Sequence, residues 1–269
     1  CAVFANQIFA NSSSSSGSEL FLGALFFTFQ IYGDFSGYSD IAIGTARLFG
    51  IDLLRNFAFP YFSRDMAEFW RRWHISLSSW FKDYLYIPLG GSKGGNWMRI
   101  RNTFIIFLVS GFWHGANWTF VTWGFLNALF IMPSIILKTN RNNLEIVAMN
   151  KLIPSLKDFF NILLTFSMTV FAWIFFRAEN LHYAFNYISG IFNWSLFAVP
   201  KVKPTAYATL VLIGFFMTLE WIGREHQFAI QNILLKKPRF IRWLFYAFII
   251  LLIGLFLQTH ETPFIYFQF

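Results

Sequence analysis

Charged residues are scarce in this sequence. Lys, Arg, Asp and Glu together make up 13% of its 269 residues, against 56% hydrophobic and 22% aromatic residues, whereas a soluble domain carries about 25% charged residues. A soluble protein of this length needs a polar surface around its core, and the charged residues of this sequence are too few to supply one. The composition therefore excludes an ordinary soluble domain, and with it the solvated basic domain that nucleic-acid binding requires.

Cysteine is almost absent, since Cys1 is the single one in the chain. A disulfide framework and a cysteine-based metal site within the chain are thereby excluded. The H-E-x-x-H pattern that places two histidine ligands and a carboxylate on one helix is also missing. The sequence therefore predicts no bound metal ion.

The sequence contains several long apolar stretches that no charged residue interrupts. Stretches without Asp, Glu, Lys or Arg cover Leu20–Gly33, Phe104–Leu137, Phe159–Phe176, Pro204–Leu219 and Trp243–His260. A helix that crosses a membrane needs roughly 17–25 predominantly apolar residues. The sequence therefore predicts an all-α fold, a multi-pass transmembrane helical bundle.

The basic residues between these runs predict the topology. They concentrate at 47–102, 138–158 and 223–242, and basic loops next to membrane spans stay on the cytoplasmic side. These three segments are therefore expected to be cytoplasmic. The connection 177–203 is then expected on the outer side, as is the tail "ETPFIYFQF" that follows a last span over 243–260.

The longest run, Phe104–Leu137, requires a break. Both its ends are predicted cytoplasmic, so the chain must enter the membrane and return, yet two full spans need about 40 residues. In its middle stands "SGFWHGANW" (110–118), which predicts a broken or re-entrant helix that turns near Gly111–Gly115. Irregular backbone at membrane depth is tolerated only inside protein or beside a water-filled cavity, so we expect this segment to line a cavity.

His114 is the ionisable residue of that segment. A neutral imidazole accepts a proton from a hydroxyl near pH 7 and returns it later, which suits a general base. Burial among Phe112, Trp113 and Trp118 would keep the ring neutral, because burial disfavours the charged form. The alternative is a histidine that caps a broken helix through hydrogen bonds, and the pattern alone leaves both open.

The segment 63–81, "SRDMAEFWRRWHISLSSWF", predicts one amphipathic helix that lies in the membrane interface. Ser63 is its expected N-cap, with Asp65 in the first turn. Apolar residues recur at helical spacing at Phe69, Trp70, Trp73, Leu77 and Trp80. His74 lies within this helix, either as a hydrogen-bonded packing residue or as a functional one.

Two carboxylates interrupt "FQIYGDFSGYSDIAIG" (29–44), namely Asp34 and Asp40. A carboxylate at membrane depth costs roughly 2.5–3.5 kcal/mol on insertion scales, so each should be paired, solvated or functional. An ion pair with a downstream arginine is the structural alternative. The glycine-rich "IPLGGSKGGN" (87–96) carries Lys93 but lacks the P-loop pattern, so it predicts a flexible turn or a contact with a donor phosphate.

Three stretches together resemble a known family. They are "YGDFSGYSDIAIG" (32–44), "NFAFPYFSRDMAEFWRRWHISLSSWFKDYLYIPLGGS" (56–92) and "SGFWHGANWTFVTWG" (110–124), and the ending "FIYFQF" is similar as well. The family is that of the membrane-bound O-acyltransferases. The resemblance is strongest to the bacterial branch that contains the alginate O-acetylation protein and the teichoic-acid D-alanyl transfer protein.

The resemblance implies a reaction and its residues. Family members transfer an acyl group from a thioester to a hydroxyl, and the matching histidines here are His114 and His74. They form a tunnel through the membrane with the histidine near its middle. Members of this branch are about twice as long, so the chain is expected to be a C-terminal fragment. Within one membrane domain, 1–269, the part 20–137 would be catalytic and 138–269 would add C-terminal spans.

The expected function is O-acetyl transfer to an exported polysaccharide at the bacterial cytoplasmic membrane. The donor would be acetyl-CoA or an acyl-carrier thioester on the cytoplasmic side, with no bound cofactor, and extracytoplasmic acetyltransferase partners would complete the transfer. Gly115 backbone groups are candidate oxyanion donors, together with Asn117 and Trp118. Candidate substrate-binding residues are Asp34, Asp40, Asn117, Trp113, Trp118, Arg71, Arg72 and Lys93.

Two other classes of protein stay open at this point. A transporter or channel subunit for a polymer or a lipid-linked sugar would use Asp34, Asp40 and His114 as a polar pathway. A non-catalytic scaffold of a secretion complex would need none of them. Lys82, like Arg71 and Arg72, either attracts an anionic donor or anchors the chain at the interface.

Overall fold

The computed structural model describes residues 1–257, which are largely helical. The α-helices in chain order are α1 (Ala2–Ala10), α2 (Gly17–Leu48), α3 (Met66–Arg72), α4 (Ile75–Phe81), α5 (Gly95–His114), α6 (Trp118–Ile136), α7 (Leu156–Arg177), α8 (Leu181–Ile191), α9 (Pro204–Gly223) and α10 (Arg239–Phe256). A π-helical turn, Lys82–Tyr86, continues α4. No strand occurs among residues 1–257, and the all-α prediction is confirmed.

Four of these helices are long and apolar enough to cross a membrane, namely α6, α7, α9 and α10. Buried residues make up 44% of the apolar window of α7, 17% of that of α9 and none of that of α10. The last two helices thus present apolar side chains outward, as contact with lipid requires. The multi-pass membrane architecture is confirmed. The predicted end of the last span and the tail after it, residues 258–269, lie outside the described residues.

The predicted break in the longest apolar run is present. Helices α5 and α6 form an antiparallel hairpin whose turn lies at 115–117. Asn117 caps α6 by accepting a hydrogen bond from the backbone N–H of Thr119 at 3.1 Å. Helix α5 begins at Gly95 and so extends beyond the uncharged run, which is how the chain obtains two helices of 20 and 19 residues.

Close contact between the two helices of the hairpin depends on glycine. A Cβ atom added at Gly124 would lie 2.1 Å from the carbonyl oxygen of Phe107, and one at Gly111 would lie 2.3 Å from that of Phe120. Small residues of this kind let two membrane helices approach closely and pack by van der Waals contact. The close packing of α5 against α6 therefore depends on glycine at both positions.

We expect Gly124→Ala to destabilise the hairpin by about 1–3 kcal/mol, because the added methyl group meets backbone that cannot rotate away. Gly214→Ala in α9 is the matched control, since nothing lies within 4 Å of a Cβ added there. Thermal unfolding of the two variants in the same detergent measures the difference. Equal midpoints would show that the contact at Gly124 is not needed for stability.

The prediction of one amphipathic helix over 63–81 is wrong. Two short helices, α3 and α4, occupy this segment, and the chain breaks between them at His74, whose backbone is left-handed (φ 45°, ψ 56°). The N-cap of α3 is Asp65, whose carboxylate accepts a hydrogen bond from the Glu68 backbone N–H, and not Ser63. A left-handed backbone is uncommon for a residue other than glycine, so the surrounding structure must hold it.

Asn56, from the extended segment after α2, holds the break. Its backbone carbonyl accepts a hydrogen bond from the Ile75 N–H at 3.0 Å, and its side-chain oxygen accepts from the Ser76 hydroxyl at 2.6 Å. The Ala58 N–H donates to the carbonyl of Arg72, the last residue of α3, at 2.9 Å. These long-range bonds replace the helical bonds that one continuous helix would have made.

Buried aromatic side chains connect the helices around this break. The Trp73 ring lies 5.9 Å from Tyr32 of α2 and 5.2 Å from Trp173 of α7, and Trp173 stacks on Trp123 of α6 at 5.7 Å. Each of these four side chains is at most 2% exposed. Aromatic residues bury large areas and pack with defined ring geometry, so this cluster fixes the α3–α4 break relative to α2, α6 and α7.

Candidate active site

His114 is the last residue of α5, at the turn of the helical hairpin. Its ring centroid lies 5.2 Å from that of Trp123, 5.1 Å from Phe176 and 5.0 Å from Trp113, each ring meeting it edge to face. The imidazole is thus enclosed by apolar rings from α5, α6 and α7. Such an environment disfavours a charged side chain, so His114 is held as a neutral imidazole.

The rings that enclose His114 differ in part from those predicted. Trp113 is in contact as expected, but Phe112 and Trp118 are 66% and 73% exposed. Neighbours along the end of a helix point to different faces, so they seldom enclose the same group. Trp123 and Phe176 complete the enclosure instead, and only the folding of α6 and α7 against α5 brings them there.

His74 lies beside this cluster, at the break between α3 and α4. Its ring meets Phe35 edge to face at 4.7 Å, and its Nδ1 atom is buried with no hydrogen-bond partner among the described residues. Burial lowers the pKa of His74 to about 4, so it is neutral near pH 7. The two imidazoles lie close enough to interact electrostatically, which brings together two histidines from separate stretches of the sequence.

A cavity of about 640 Å³ opens at the other end of the hairpin. Its charged lining residues are Arg71, Arg99, Lys138 and Arg141, and no acidic residue lines it among the described residues. The Nε atom of Arg99 is buried without a hydrogen-bond partner. A cavity with four cations and no anion favours a ligand that carries negative charge, such as a phosphate ester.

A second cavity, of about 240 Å³, adjoins the first. The lining residues that the two have in common are Trp70, Tyr86, Ile106 and Phe107. Ser110 and Ser78 also line the second cavity. Each lies one helical turn from a histidine, since Ser110 precedes His114 and Ser78 follows His74 by four residues. The two cavities together run from a basic mouth to Ser78 and Ser110, and neither histidine is among their lining residues.

Comparison with known proteins bears directly on this arrangement. Residues 9–176 match the model of the membrane-bound O-acyltransferase family. This matched part exceeds half of the chain and contains both histidines and the whole hairpin. The chain belongs to the membrane-bound O-acyltransferase family.

Curated relatives of this chain carry names that refer to three different polymers. A probable alginate O-acetylase of Pseudomonas aeruginosa is 37% identical over 88% of this chain and 44% of its own length. A peptidoglycan O-acetyltransferase of Helicobacter pylori is 41% identical over 71% of the chain and 34% of its own. A teichoic acid D-alanyltransferase of Streptococcus thermophilus is 39% identical over 40% of the chain and 28% of its own. The chain spans less than half the length of these relatives.

The basic residues predicted to bind an acyl donor have different surroundings. Arg71 lines the larger cavity and donates to the carbonyls of Asn140 and Asn143, each at 2.9 Å. Arg72 forms an ion pair with the buried Glu68 at 2.8 Å, and Lys82 lines the smaller cavity.

Lys93 is exposed and lines neither cavity, although its neighbour Ser92 lines the larger one.

The other cations of the basic mouth were not predicted from the sequence. Arg99 lies before the uncharged run, and Lys138 and Arg141 follow α6. The basic residues on either side of the hairpin are visible in the sequence. Only the antiparallel return of α6 shows that Arg99, Lys138 and Arg141 line the same cavity.

The structure also places the remaining candidate substrate-binding residues, those of the hairpin turn and of α2. The Asn117 amide donates to the carbonyl of Glu179 at 2.8 Å while its oxygen caps α6, so both its ends are bonded within the protein. Trp113 is 57% exposed. Asp34 and Asp40 lie on α2, and in the described part of the chain neither forms an ion pair within 4.0 Å.

Proposed function

We propose that this chain carries the acyl-transfer centre of a membrane enzyme that moves an acetyl group from a thioester to a hydroxyl of an exported polysaccharide or cell-wall glycan. The observation that carries the proposal is that two histidines from separate segments lie within electrostatic range of each other. Each is one helical turn from a serine, Ser78 or Ser110, of a cavity that adjoins a basic mouth. The names of the relatives, an alginate O-acetylase and a peptidoglycan O-acetyltransferase among them, support the acceptor class. The proposed location is the bacterial cytoplasmic membrane.

The donor is proposed to enter at the basic mouth. Acetyl-CoA and the phosphopantetheine arm of an acyl-carrier protein both bear phosphate groups and a thioester on a flexible chain. Arg71, Arg99, Lys138 and Arg141 would hold the phosphates, and the chain would extend past Trp70 toward Ser110. The loops that contribute the mouth, 47–102 and 138–158, are the ones predicted to be cytoplasmic, where such donors occur.

In the proposed reaction His114 acts as general base. Its neutral imidazole takes the proton of the acceptor hydroxyl as that oxygen attacks the thioester carbonyl. The carbon–oxygen bond forms, the carbon–sulfur bond breaks, and the thiolate leaves with the proton from the imidazolium. The histidine is thereby returned to its neutral form. A positioned general base contributes roughly 10²–10⁴ in rate, and hydrogen bonds to the developing oxyanion add to this.

His74 is proposed to assist from the donor side. Its Nδ1 atom is buried without a partner, which costs free energy in the absence of a ligand. With a pKa of about 4 it would meet the substrate as a neutral hydrogen-bonding group and not as a cation. His74 lies one helical turn from Ser78, which lines the smaller cavity. This position suits a contact with the thioester.

The transporter alternative requires Asp34, Asp40 and His114 in one polar pathway. Asp40 instead lines a separate cavity together with Arg55 and Glu220. That cavity has no lining residue in common with the two that lead toward His114. The geometry therefore favours acyl transfer, with partner acetyltransferases outside the membrane proposed only for later steps.

The proposal is tested with the purified full-length protein in nanodiscs. We expect it to move a labelled acetyl group from a thioester to a glycan or oligosaccharide hydroxyl, with release of free thiol. Acetyl-CoA and an acetylated carrier protein are offered separately. Failure to consume either thioester in the presence of several glycan acceptors would count against the reaction.

We expect Arg99→Gln to raise the donor KM about tenfold with little change in kcat, because a hydrogen bond to a charged group is lost in ground state and transition state alike. Lys93→Gln removes the same charge from a nearby exposed position that lines neither cavity. Initial rates against donor concentration separate the two parameters. An equal change in KM for both variants would indicate general electrostatic attraction and not a site at the mouth.

A further inference from the structure

A third cavity, of about 200 Å³, lies between α2, α9 and the segments that follow each of them. Its polar lining residues are Tyr32, Ser36, Asp40, Arg55, Glu220 and Gln227, and phenylalanines, two glycines and an alanine form the rest of its wall. It lies where α9, one of the helices long enough to cross a membrane, meets the basic segment after it. Both flanking segments are predicted cytoplasmic, so the cavity is at the level of lipid headgroups.

Glu220 is the buried carboxylate of this cavity. The residue is 5% exposed, and its Oε1 atom accepts a hydrogen bond from the Tyr32 hydroxyl. Its Oε2 atom is buried and has no hydrogen-bond partner. A buried carboxylate oxygen without a partner costs much more than a neutral one. Glu220 lines the cavity, so a ligand there that reaches this oxygen and donates a hydrogen bond to it would remove the cost.

The charges of the cavity do not neutralise one another directly. Asp40 adds a second carboxylate, and Arg55 lies within electrostatic range of both acids. However, no ion pair within 4.0 Å joins Arg55 to either carboxylate in the described residues. Its guanidinium instead lies over the Phe59 ring, 4.7 Å from the centroid. The cavity is thus lined by two carboxyl groups and one guanidinium that are not directly paired, and it has room for a cationic group.

The rim of the same cavity is positive. Arg47 is exposed at the end of α2, and its guanidinium lies 5.7 Å from the centroid of Phe228, a residue of the cavity wall. Together with Arg55 it places two guanidinium groups beside an acidic interior. Guanidinium groups bind phosphate through paired hydrogen bonds. A ligand that fits this pattern carries an ammonium group a short distance from a phosphate.

We propose that this cavity binds the headgroup of an aminophospholipid, with phosphatidylethanolamine as the lipid. The primary ammonium donates to Glu220 and Asp40, and the phosphate binds Arg47 and Arg55. The acyl chains follow the exposed apolar side chains of α9, among them Ile222, which is 49% exposed. This lipid site is separate from the two cavities near the histidines and does not depend on the proposed acyl transfer.

The first test varies the lipid and leaves the protein intact. Full-length protein in detergent is titrated with phosphatidylethanolamine, phosphatidylcholine or phosphatidylglycerol of the same acyl chains, and bound lipid is counted by native mass spectrometry. Phosphatidylethanolamine should bind roughly tenfold tighter than phosphatidylcholine, because three N-methyl groups remove the hydrogen-bond donors that the carboxylates need. Equal binding of the three lipids would overturn the proposal.

The second test varies the protein. Glu220→Gln keeps the shape of the side chain and removes its charge, and it should weaken phosphatidylethanolamine binding roughly tenfold while leaving phosphatidylcholine binding unchanged. Asp52→Asn is the control, an exposed acid in the segment after α2 that contributes Arg55 to the cavity but does not itself line it. Unfolding temperatures confirm that both variants are folded. Unchanged lipid preference in a folded Glu220→Gln variant would also overturn the proposal.

A third measurement identifies the source of the headgroup. Soluble phosphoethanolamine is added in competition with the lipid. Displacement at equal concentrations would assign the pocket to a free phosphorylated amine, whereas retention of the lipid would assign it to the membrane. Retention of the lipid supports the proposal, and displacement overturns its assignment to a membrane lipid.

Discussion

The His114→Ala variant is expected to lose polysaccharide O-acetylation, with the transfer rate reduced roughly 10²–10⁴-fold. The reason is the position of this imidazole, which is neutral, enclosed by Trp123 and Phe176, and one helical turn from the cavity residue Ser110. The other histidine near the site among the described residues, His74, belongs to a different segment and does not occupy the same place.

The measurement is the acetyl content of the exported polymer in cells that carry the full-length protein. Wild type and variant are compared at equal membrane level, and the amount of exported polymer is determined alongside. Alanine also leaves a space within the aromatic cluster, so His114→Gln is included as a variant of similar volume that lacks a basic nitrogen. Both variants should be inactive and folded. His182→Ala is the control, since His182 is exposed on α8 and bonded to Asn186.

The result also decides between the functions that the sequence left open. Loss of acetyl esters with continued export would exclude the transporter, and loss of esters with the secretion complex intact would exclude the scaffold. If acetylation persists in the alanine variant, His114 serves to end α5 at the hairpin turn. In that case the mechanism proposed for it is wrong.

The membrane architecture was predictable because it depends on composition over long windows. The apolar runs locate α7 and α9 to within a few residues, and the basic segments around Phe104–Leu137 require the chain to return where it entered. The hairpin turn at 115–117 follows from that requirement together with the glycines near His114. These signals are local or additive along the chain, so one sequence is enough to read them.

The geometry at His74 was not predictable in the same way. The apolar spacing of 63–81 favours one helix, and it is overridden by hydrogen bonds to Asn56 and by the packing of Trp73 against Trp173. Such contacts join residues far apart in the chain. The same holds for Glu220 and Tyr32, which are 188 residues apart and meet through a hydrogen bond. Periodicity along one segment carries no information about partners of this kind.

The left-handed backbone of His74 leads to the second large effect. Loss of its imidazole is expected to lower kcat about 10²-fold, at the lower end of what a positioned acid–base group supplies. A substitution at this position has two effects, however. It removes the ring, and it also adds backbone strain, because a left-handed conformation costs most residues roughly 1–2 kcal/mol. Alanine would combine the loss of the ring with that strain, and asparagine tolerates the conformation much better.

The comparison of His74→Asn with His74→Ala therefore separates the two contributions. If the imidazole takes part in the reaction, both variants lose kcat to a similar extent, and only the alanine variant loses stability. If His74 serves only to turn the chain between α3 and α4, the asparagine variant stays active.

The pH dependence of kcat adds a further readout. A histidine with a pKa of about 4 stays neutral down to that pH, so its protonation should produce no inflection in kcat near pH 6.5. An inflection there that disappears in His74→Asn would show that the ring is solvated during turnover and carries a proton in the reaction.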